Sequence, residues 1–264
     1  MSVQGYWADL KAPDFADLPG GTVAILPIGA VEQHGPHLPL SVDCDLPEAV
    51  LARLWTHLGG EVSALVLPTL SITKSDEHSR FPGTLTLSAE TLLAVLREIG
   101  ASVARAGVER LVLFNGHGGN TALLQVAARE LRRREGMIVV TCSWSGFSDT
   151  EGVIAPAAYA MDLHAGEGET SAMLAARPER VEMTAARDFR PAMRDWAEPF
   201  PSIGLTGQPA APGWLIGDLN PEGAVGNAAA ASAEKGEALL DSAARNFAAF
   251  LAEFARFDHR EGTR

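Results

Sequence analysis

Residues 23–45 read VAILPIGAVEQHGPHLPLSVDCD, and the change of character inside this stretch decides the fold class. Val23–Ile28 is a continuous apolar run, the pattern of a strand covered on both faces of a parallel sheet. At Gly29 it gives way to a segment carrying Glu32, His34, His37, Asp43 and Asp45, in which Gly35, Pro36 and Pro39 exclude a regular helix. A buried strand ending in a rigid loop dense with carboxylates and imidazoles predicts a ligand site at the carboxyl edge of an α/β sheet.

Working outward, Ala64–Leu67, Leu111–Phe114 and Ile138–Thr141 repeat the buried-strand pattern, with helical periodicity between them. Asp45 with Glu48 predicts a capping box opening a helix over Leu46–Leu58. Ser88 is expected to cap Ala89–Ala106, and Asn120 to cap Thr121–Arg134. Arg187–Asn227 is rich in Pro, Gly and Trp and reads as long loops near the site, after which Ala228–Phe257 returns to a helical pattern. The alternation predicts a single domain over residues 1–264, an α/β three-layer sandwich in which helices cover both faces of a mostly parallel sheet.

Composition narrows the function. Lys and Arg number 21 against 33 Asp and Glu, a formal charge of −12 that opposes binding to nucleic acid or an anionic membrane through a general field. A small-molecule partner fits better. The N-terminal segment lacks a basic region followed by an apolar stretch, and no later run reaches the length of a membrane span, so a cytoplasmic location is expected. Cys44 and Cys142 are too few for a disulfide framework or a zinc finger and are expected to be buried, reduced thiols.

Four segments carry the chemistry. On an extended chain Glu32 and His34 point to one side and Gln33 away, and Asp43 can return to the same place after the Gly-Pro loop. In residues 113–120, LFNGHGGN, His117 stands among three glycines between a strand and a helix. An anion cradle is the competing reading, but the loop lacks the lysine and hydroxyl of a P-loop and the dinucleotide fingerprint. Residues 162–171, DLHAGEGETS, offer His164, Glu167 and Glu169 at the start of a helix, where acidic side chains also suit the helix dipole. Residues 75–84, SDEHSRFPGT, place Glu77 and His78 in a polar loop that either lines a substrate pocket or is solvated surface. His57 and His259 fall outside these segments. Carboxylate and imidazole together suit zinc and manganese. There is no Gly-x-Ser-x-Gly elbow and neither cysteine has an evident His partner, so activated water is the simplest nucleophile.

The ordered motifs PIGAVEQHGPHLPLSVD, EHSRFPGT, FNGHGGN and HAGEGETS, over Val23–Met173, resemble the creatininase (creatinine amidohydrolase) family, in its His-Gly-Gly-Asn subgroup. The resemblance implies an α/β sandwich, two divalent metal ions (zinc, manganese or both, with iron(II) a further candidate) and a homo-oligomer, typically a hexamer. Matched motif by motif, it makes Glu32, His34, Asp43 and His117 metal ligands, with Asp43 bridging. Creatininase proper carries His-Tyr-Glu-Asn where this chain has His117-Gly118-Gly119-Asn120, so a carboxylate ligand is missing at Gly119. The accompanying His-Ala-Gly-x-x-Glu-Thr-Ser pattern assigns the vacancy to Glu169, with Glu167 the alternative. Glu32, Asp43 and Glu169 then supply three negative charges against four positive, leaving one for a hydroxide and a nearly neutral buried site.

The function expected is metal-dependent hydrolysis of a small cyclic or N-formyl-type amide by activated water, with His164 and Glu169 catalytic and His164 donating a proton to the leaving nitrogen. Glu77, His78, Gly118 and Trp214 are expected to bind substrate; Trp144 and Trp196 are further stacking candidates. The missing tyrosine points away from creatinine itself. The alternatives are a metallopeptidase acting on a small modified peptide, as in the mycofactocin-maturation branch, and a non-catalytic module binding an anion or nucleotide.

Overall fold

Val23–Ile28 forms strand β2, and all six of its residues are buried. It lies at the centre of a five-stranded sheet with β1 (Gln4–Tyr6), β3 (Ala64–Val66), β4 (Arg110–Asn115) and β5 (Ile138–Ser143), in the order β1-β3-β2-β4-β5. Every pairing in this sheet is parallel. The computed structural model describes residues 2–196, 198–205 and 207–260. The domain expected over 1–264 also includes Met1, Ala197, Thr206 and residues 261–264, which lie outside the described residues.

Alternation along the strands sorts side chains into two cores. Val23 and Ile25 of β2, with Val112 and Phe114 of β4, face α1 (Val42–Leu54), α5 (Glu167–Ala176) and α7 (Ala233–Phe254). Ala24, Leu26 and Ile28, with Leu111 and Leu113, face α2 (Ala89–Arg105) and α3 (Thr121–Glu135). The result is the expected three-layer α/β sandwich. On the first face Phe114 stacks on Phe247 with ring centroids 4.4 Å apart, a contact of a kind worth about 1 kcal/mol beyond its buried area.

Some boundaries differ from expectation. α1 begins at Val42, not Leu46, so Asp43 and Asp45 stand in its first turn. Asp45 does not cap a helix: it accepts from Ser41 Oγ and pairs with Arg180 at 3.0 Å. Ser88 caps α2 as expected, accepting from Thr91 N. Asn120 makes no side-chain cap on α3; its amide donates instead to Gly29 O, Thr73 Oγ1 and Asn115 Oδ1, tying three loops together. α7 starts at Ala233, because Ser232 accepts from Lys235 N and sets the cap there. β1 carries only one large apolar residue, exposed Tyr6, and has no buried run to announce it.

The segment expected to be long loops contains β6 (Asp188–Phe189) and β7 (Gly226–Asn227), paired antiparallel, and the single-turn helix α6 (Ile216–Leu219). Another single turn, α4 (Pro156–Tyr159), precedes α5. Met193, Ile216, Leu219 and Val225 form a small apolar cluster against which Leu163, Leu205 and Trp214 pack, so this segment folds over the carboxyl edge of the sheet. Among the described residues no helix is long and apolar enough to cross a membrane.

Candidate metal centre

Ile28 of β2 pairs with Asn115 of β4, so the loops starting at Gly29 and Gly116 leave the sheet side by side. The first turn of α1 is pressed into the notch between them. A Cβ at Gly116 would lie 2.0 Å from Asp43 O and 2.6 Å from Pro47 Cγ, a fit only glycine allows. Pro47 has no N–H to bond the carbonyl of Asp43, which leaves that carbonyl free to take this position. The packing delivers the Asp43 carboxylate between two imidazoles.

His34 Nε2 lies 3.4 Å from Asp43 Oδ1, and His117 Nδ1 lies 3.4 Å from Asp43 Oδ2. On the His117 side Glu32 Oε2 is 3.1 Å from Nδ1; on the His34 side Glu169 Oε2 is 3.9 Å from Nε2. Two triads result, Glu32–Asp43–His117 and His34–Asp43–Glu169, each with ligand atoms close enough to hold one ion and sharing Asp43. A third group, Glu32–His34–His164, lies beside them. Glu32 and His34 are fully buried.

The donor chemistry fits cations. Among the described residues Glu32 Oε1, His34 Nε2 and Asp43 Oδ2 are buried without a hydrogen-bond partner, a cost of about 1–3 kcal/mol each unless a ligand satisfies them. The histidine tautomers agree. His34 Nδ1 donates to Glu32 O at 3.1 Å, which turns Nε2 toward Asp43 and Glu169. His117 Nε2 faces two acceptors, Lys74 O at 3.0 Å and Glu77 Oε1 at 3.3 Å, leaving Nδ1 free between Glu32 and Asp43. Burial opposes charge on both rings, yet Asp43 and its neighbouring carboxylates hold His34 up at about 9 and His117 well above its ordinary value. Burial also lifts Glu169 to about 7, helped by repulsion from Asp43. A site that draws protons onto its imidazoles this strongly is one that attracts cations.

Of the other sequence candidates, Glu167 turns away and pairs with Lys235 Nζ at 2.6 Å, whereas Glu169 Oε2 faces the cluster and accepts from Ala165 N at 2.7 Å. Ala165 is the one non-glycine among the described residues with positive φ, at 53°, a left-handed conformation of the kind that concentrates at functional sites. Glu77 occupies the space vacated at position 119: a Cβ on Gly119 would lie 1.8 Å from its Oε1. His78 Nε2 is 3.5 Å from Glu32 Oε1, so Ser75, Glu77 and His78 of this segment face the site, while Asp76, Ser79, Arg80, Pro82 and Gly83 are exposed surface. Glu77, His78, Gly118 and Trp214 share the walls of a cavity of about 320 Å³ opening onto Asp43, His117 and Glu169. Trp196 packs in the small apolar cluster, and Trp144 is buried away from this cavity.

His164 Nε2 donates to Gln33 O at 2.8 Å, and its Nδ1 lone pair faces Glu32 Oε1 at 3.6 Å. Burial, then the neighbouring His34 and His78, hold its pKa well below the ordinary value. The resting ring is neutral with an acceptor nitrogen inward, so the proton-donating role expected of His164 requires that it first take up a proton. His37 and Asp45 leave the cluster; His37 Nε2 contacts Thr170 Oγ1 at 2.9 Å and its ring stacks on Phe189. Cys44 Sγ lies against Ala30 O, and burial pushes its thiol up to about 12. Sequence reasoning missed Ser75, whose hydroxyl donates to Glu32 Oε2, and the work of Gln33. Gln33 points away from the carboxylates as expected, but its amide nitrogen reaches His78 Nδ1 at 2.7 Å and Gly223 O at 2.8 Å, fixing the outer wall.

A shared carboxylate between two imidazole-bearing triads, at the carboxyl edge of a parallel sheet, defines the class: an α/β sandwich with a metal-binding donor set. The family model for creatininase, described as creatinine amidohydrolase, matches residues 8–251, and the chain belongs to this family. It is 34% identical over 250 residues to the creatinine amidohydrolase of Pseudomonas putida, covering 89% of this chain and 90% of that protein. It is also 34% identical over 223 residues to the mycofactocin precursor peptide peptidase of Mycobacterium ulcerans (strain Agy99), covering 82% and 79%. A solved manganese creatininase superposes with a TM-score of 0.74 at 31% identity, over 97% of this chain and 100% of that one. A zinc–zinc creatininase mutant gives 0.72 at 30% over 97% and 100%.

Proposed function

We propose that this protein hydrolyses a C–N amide bond of a small amide, cyclic or N-formyl in type, with two divalent ions of zinc or manganese. The observation that carries the reading is the pair of triads sharing Asp43, with buried unpartnered ligand atoms in both. Glu32, Asp43 and His117 would hold one ion; His34, Asp43 and Glu169 the other. Such ions lower the pKa of water toward neutrality and polarise a carbonyl.

The chain's own groups complete the reaction. The inward Nδ1 of neutral His164 accepts the proton of the attacking water and passes it to the leaving nitrogen, while Gln33 O keeps the ring oriented and stabilises the imidazolium. Glu77 holds the tautomer of His117. Trp214, with Leu205 and Pro212, walls the cavity against water and offers a face for a planar amide. By the family resemblance the enzyme is a homo-oligomer, a hexamer, and the cytoplasm is the location expected from its sequence.

A second reading is a metallopeptidase acting on a small modified peptide, favoured by the equal identity to the peptidase relative. The anion-binding alternative is opposed by the carboxylates of Asp43, Glu77 and Glu169 in the cavity wall. The test is metal content per chain for wild type and Glu169→Ala, with hydrolysis assayed on cyclic amides, N-formyl amines and short peptides. Near two ions in wild type and about one in the variant are expected. Failure of wild type to retain metal after incubation with zinc or manganese sinks the hydrolase reading, and cleavage of peptides alone selects the peptidase.

A further inference from the structure

Gln33 is buried against two histidines, and its hydrogen bonds decide which edge each of them turns inward. The orientation of its own amide is fixed by the backbone. Oε1 accepts from Gly35 N at 3.0 Å and Nε2 donates to Gly223 O at 2.8 Å, so exchanging oxygen and nitrogen would set donor against donor and acceptor against acceptor. Gly223 makes room for this seat: its φ is 78°, and a Cβ there would lie 2.2 Å from Gln33 Oε1.

The second hydrogen on Gln33 Nε2 then goes to His78 Nδ1, 2.7 Å away. An imidazole nitrogen that accepts carries no proton, so His78 is a neutral ring protonated on Nε2. The remaining contact of the amide, His164 Nε2 at 3.4 Å, offers it no acceptor, because that nitrogen donates to Gln33 O at 2.8 Å. His78 and His164 thus carry their protons on the same ring nitrogen and present opposite edges to the site. His164 turns the Nδ1 lone pair toward Glu32 Oε1 at 3.6 Å, and His78 turns Nε2–H toward the same oxygen at 3.5 Å. Glu32 Oε1 is hydrogen-bonded to neither, since both distances exceed a hydrogen bond. The proton of His78 is therefore not spent on Glu32, and both rings line the cavity of about 320 Å³.

Resting on the amide-hydrolase reading, we propose that His78 donates a hydrogen bond through Nε2–H to the carbonyl oxygen of the substrate and to the oxyanion it becomes, with Gln33 the positioning residue that keeps the proton on that nitrogen. The pairing follows from what the reactants offer. A carbonyl oxygen only accepts, whereas the attacking water brings protons, so a wall with one donor edge and one acceptor edge receives the first at His78 and the second at His164. As the water oxygen bonds to the carbonyl carbon, an electron pair of the C=O bond moves onto the carbonyl oxygen, where a donor already in place is worth most. His164 carries the proton of water to the nitrogen as the C–N bond breaks, and His78 keeps its own throughout. Gln33 also withholds His78 from the ions. Of the four buried imidazoles in the cluster, His34, His78, His117 and His164, this one has its inward nitrogen protonated and its outward nitrogen occupied.

The tautomers are read by long-range 1H–15N NMR of 15N-histidine-labelled, chelator-treated protein near neutral pH, assigned with His78→Leu and His164→Asn. Wild type should show both rings protonated on Nε2 alone. In Gln33→Leu, His78 should average over both tautomers while His164, held by a backbone carbonyl, should not change. A wild-type His78 with its proton on Nδ1 or with protons on both nitrogens overturns the proposal, and so does a His78 spectrum unmoved in Gln33→Leu; the wild-type spectrum decides alone if that variant does not fold. On zinc- or manganese-loaded protein, His78→Leu should keep its metal while kcat on the best amide found falls roughly 100-fold to 1,000-fold, the cost of one such donor. Gln33→Leu should lose less, in kcat more than in KM. Wild type active with His78→Leu equal to it overturns the donor role alone. Wild type inactive on every amide, with the tautomers as stated, overturns the amide-hydrolase reading and takes the donor role with it.

Discussion

Replacing Gly116 by alanine should separate the two layers that meet at Asp43. The new Cβ would lie 2.0 Å from Asp43 O, 2.6 Å from Pro47 Cγ and 3.0 Å from Asp43 C. Two of those contacts are to backbone, so no rotamer change relieves them. The first turn of α1 must withdraw by more than an ångström for the oxygen to reach van der Waals distance. Overpacking of this kind costs about 1–3 kcal/mol, which in a chain of this size lowers Tm by roughly 2–12 °C. The same displacement carries the Asp43 carboxylate away from His34 and His117, so metal affinity falls with stability. Gly118→Ala is the matched control: a Cβ there meets nothing within 4 Å, and the loss of chain entropy in the unfolded state makes it neutral or slightly stabilising. Urea unfolding and zinc titration calorimetry on both variants make the comparison. Gly116→Ala matching Gly118→Ala in stability and zinc affinity would refute the account of how Asp43 is positioned.

Glu167→Gln and Glu169→Gln should part company: the first loses the charge-assisted bond to Lys235 between α5 and α7, costing about 1–2 kcal/mol, and keeps its metal, whereas the second loses about one ion per chain by elemental analysis. His164→Asn should keep both metal content and fold while kcat on the best amide found drops about 100-fold to 10,000-fold; full activity with metal bound would remove the proton-relay role. Burial, reinforced by the nearby His34, depresses His37 to about 4. The native ring is therefore neutral while an unfolded one titrates near 6.5, so stability falls as pH drops from about 6.5 to 4, by on the order of 3 kcal/mol. Thermal melts across that window should show a shallower slope for His37→Gln, and an unchanged slope would contradict the burial of a neutral His37.

The sheet was legible because β2, β3 and β4 are buried on both faces and read as apolar runs, and β5, half-buried beyond Ile138, still opens on the apolar Ile138–Val140. β1 was not, since two residues flanking a glycine carry no periodicity and the strand exists only through its pairing with β3. Asp43 was legible as a ligand but not as a helical residue. Its turn begins at Ser41, ahead of the Asp45 and Glu48 pair that looked like a cap, and tertiary pressure from Gly29 and Gly116 places it. The four chemical segments could be read from residue type and spacing alone. Their mutual approach could not, nor could Glu77 moving into the space beside Gly119, because that depends on a side chain more than forty residues away filling a volume that a sequence does not display. Ser75 and Gln33 were hidden for the same reason: one hydroxyl or one amide in a loop has no signature until the carboxylate or imidazole it serves is beside it.

The wide spacing of the candidate ligands has a consequence for the order of synthesis. Gln33 and His164, which touch through the ring and a backbone carbonyl, are separated by 131 positions. Glu169 comes later still, on a helix that docks mainly against α7, near the end of the chain. During translation the segment through His117 can emerge with one triad in hand, but its partner triad waits for α5, and α5 waits for α7 to seat it. Under the two-ion proposal, the triad of Glu32, Asp43 and His117 would be complete in the growing chain before that of His34, Asp43 and Glu169, and the two positions would be filled in sequence, from the chain's beginning toward its end.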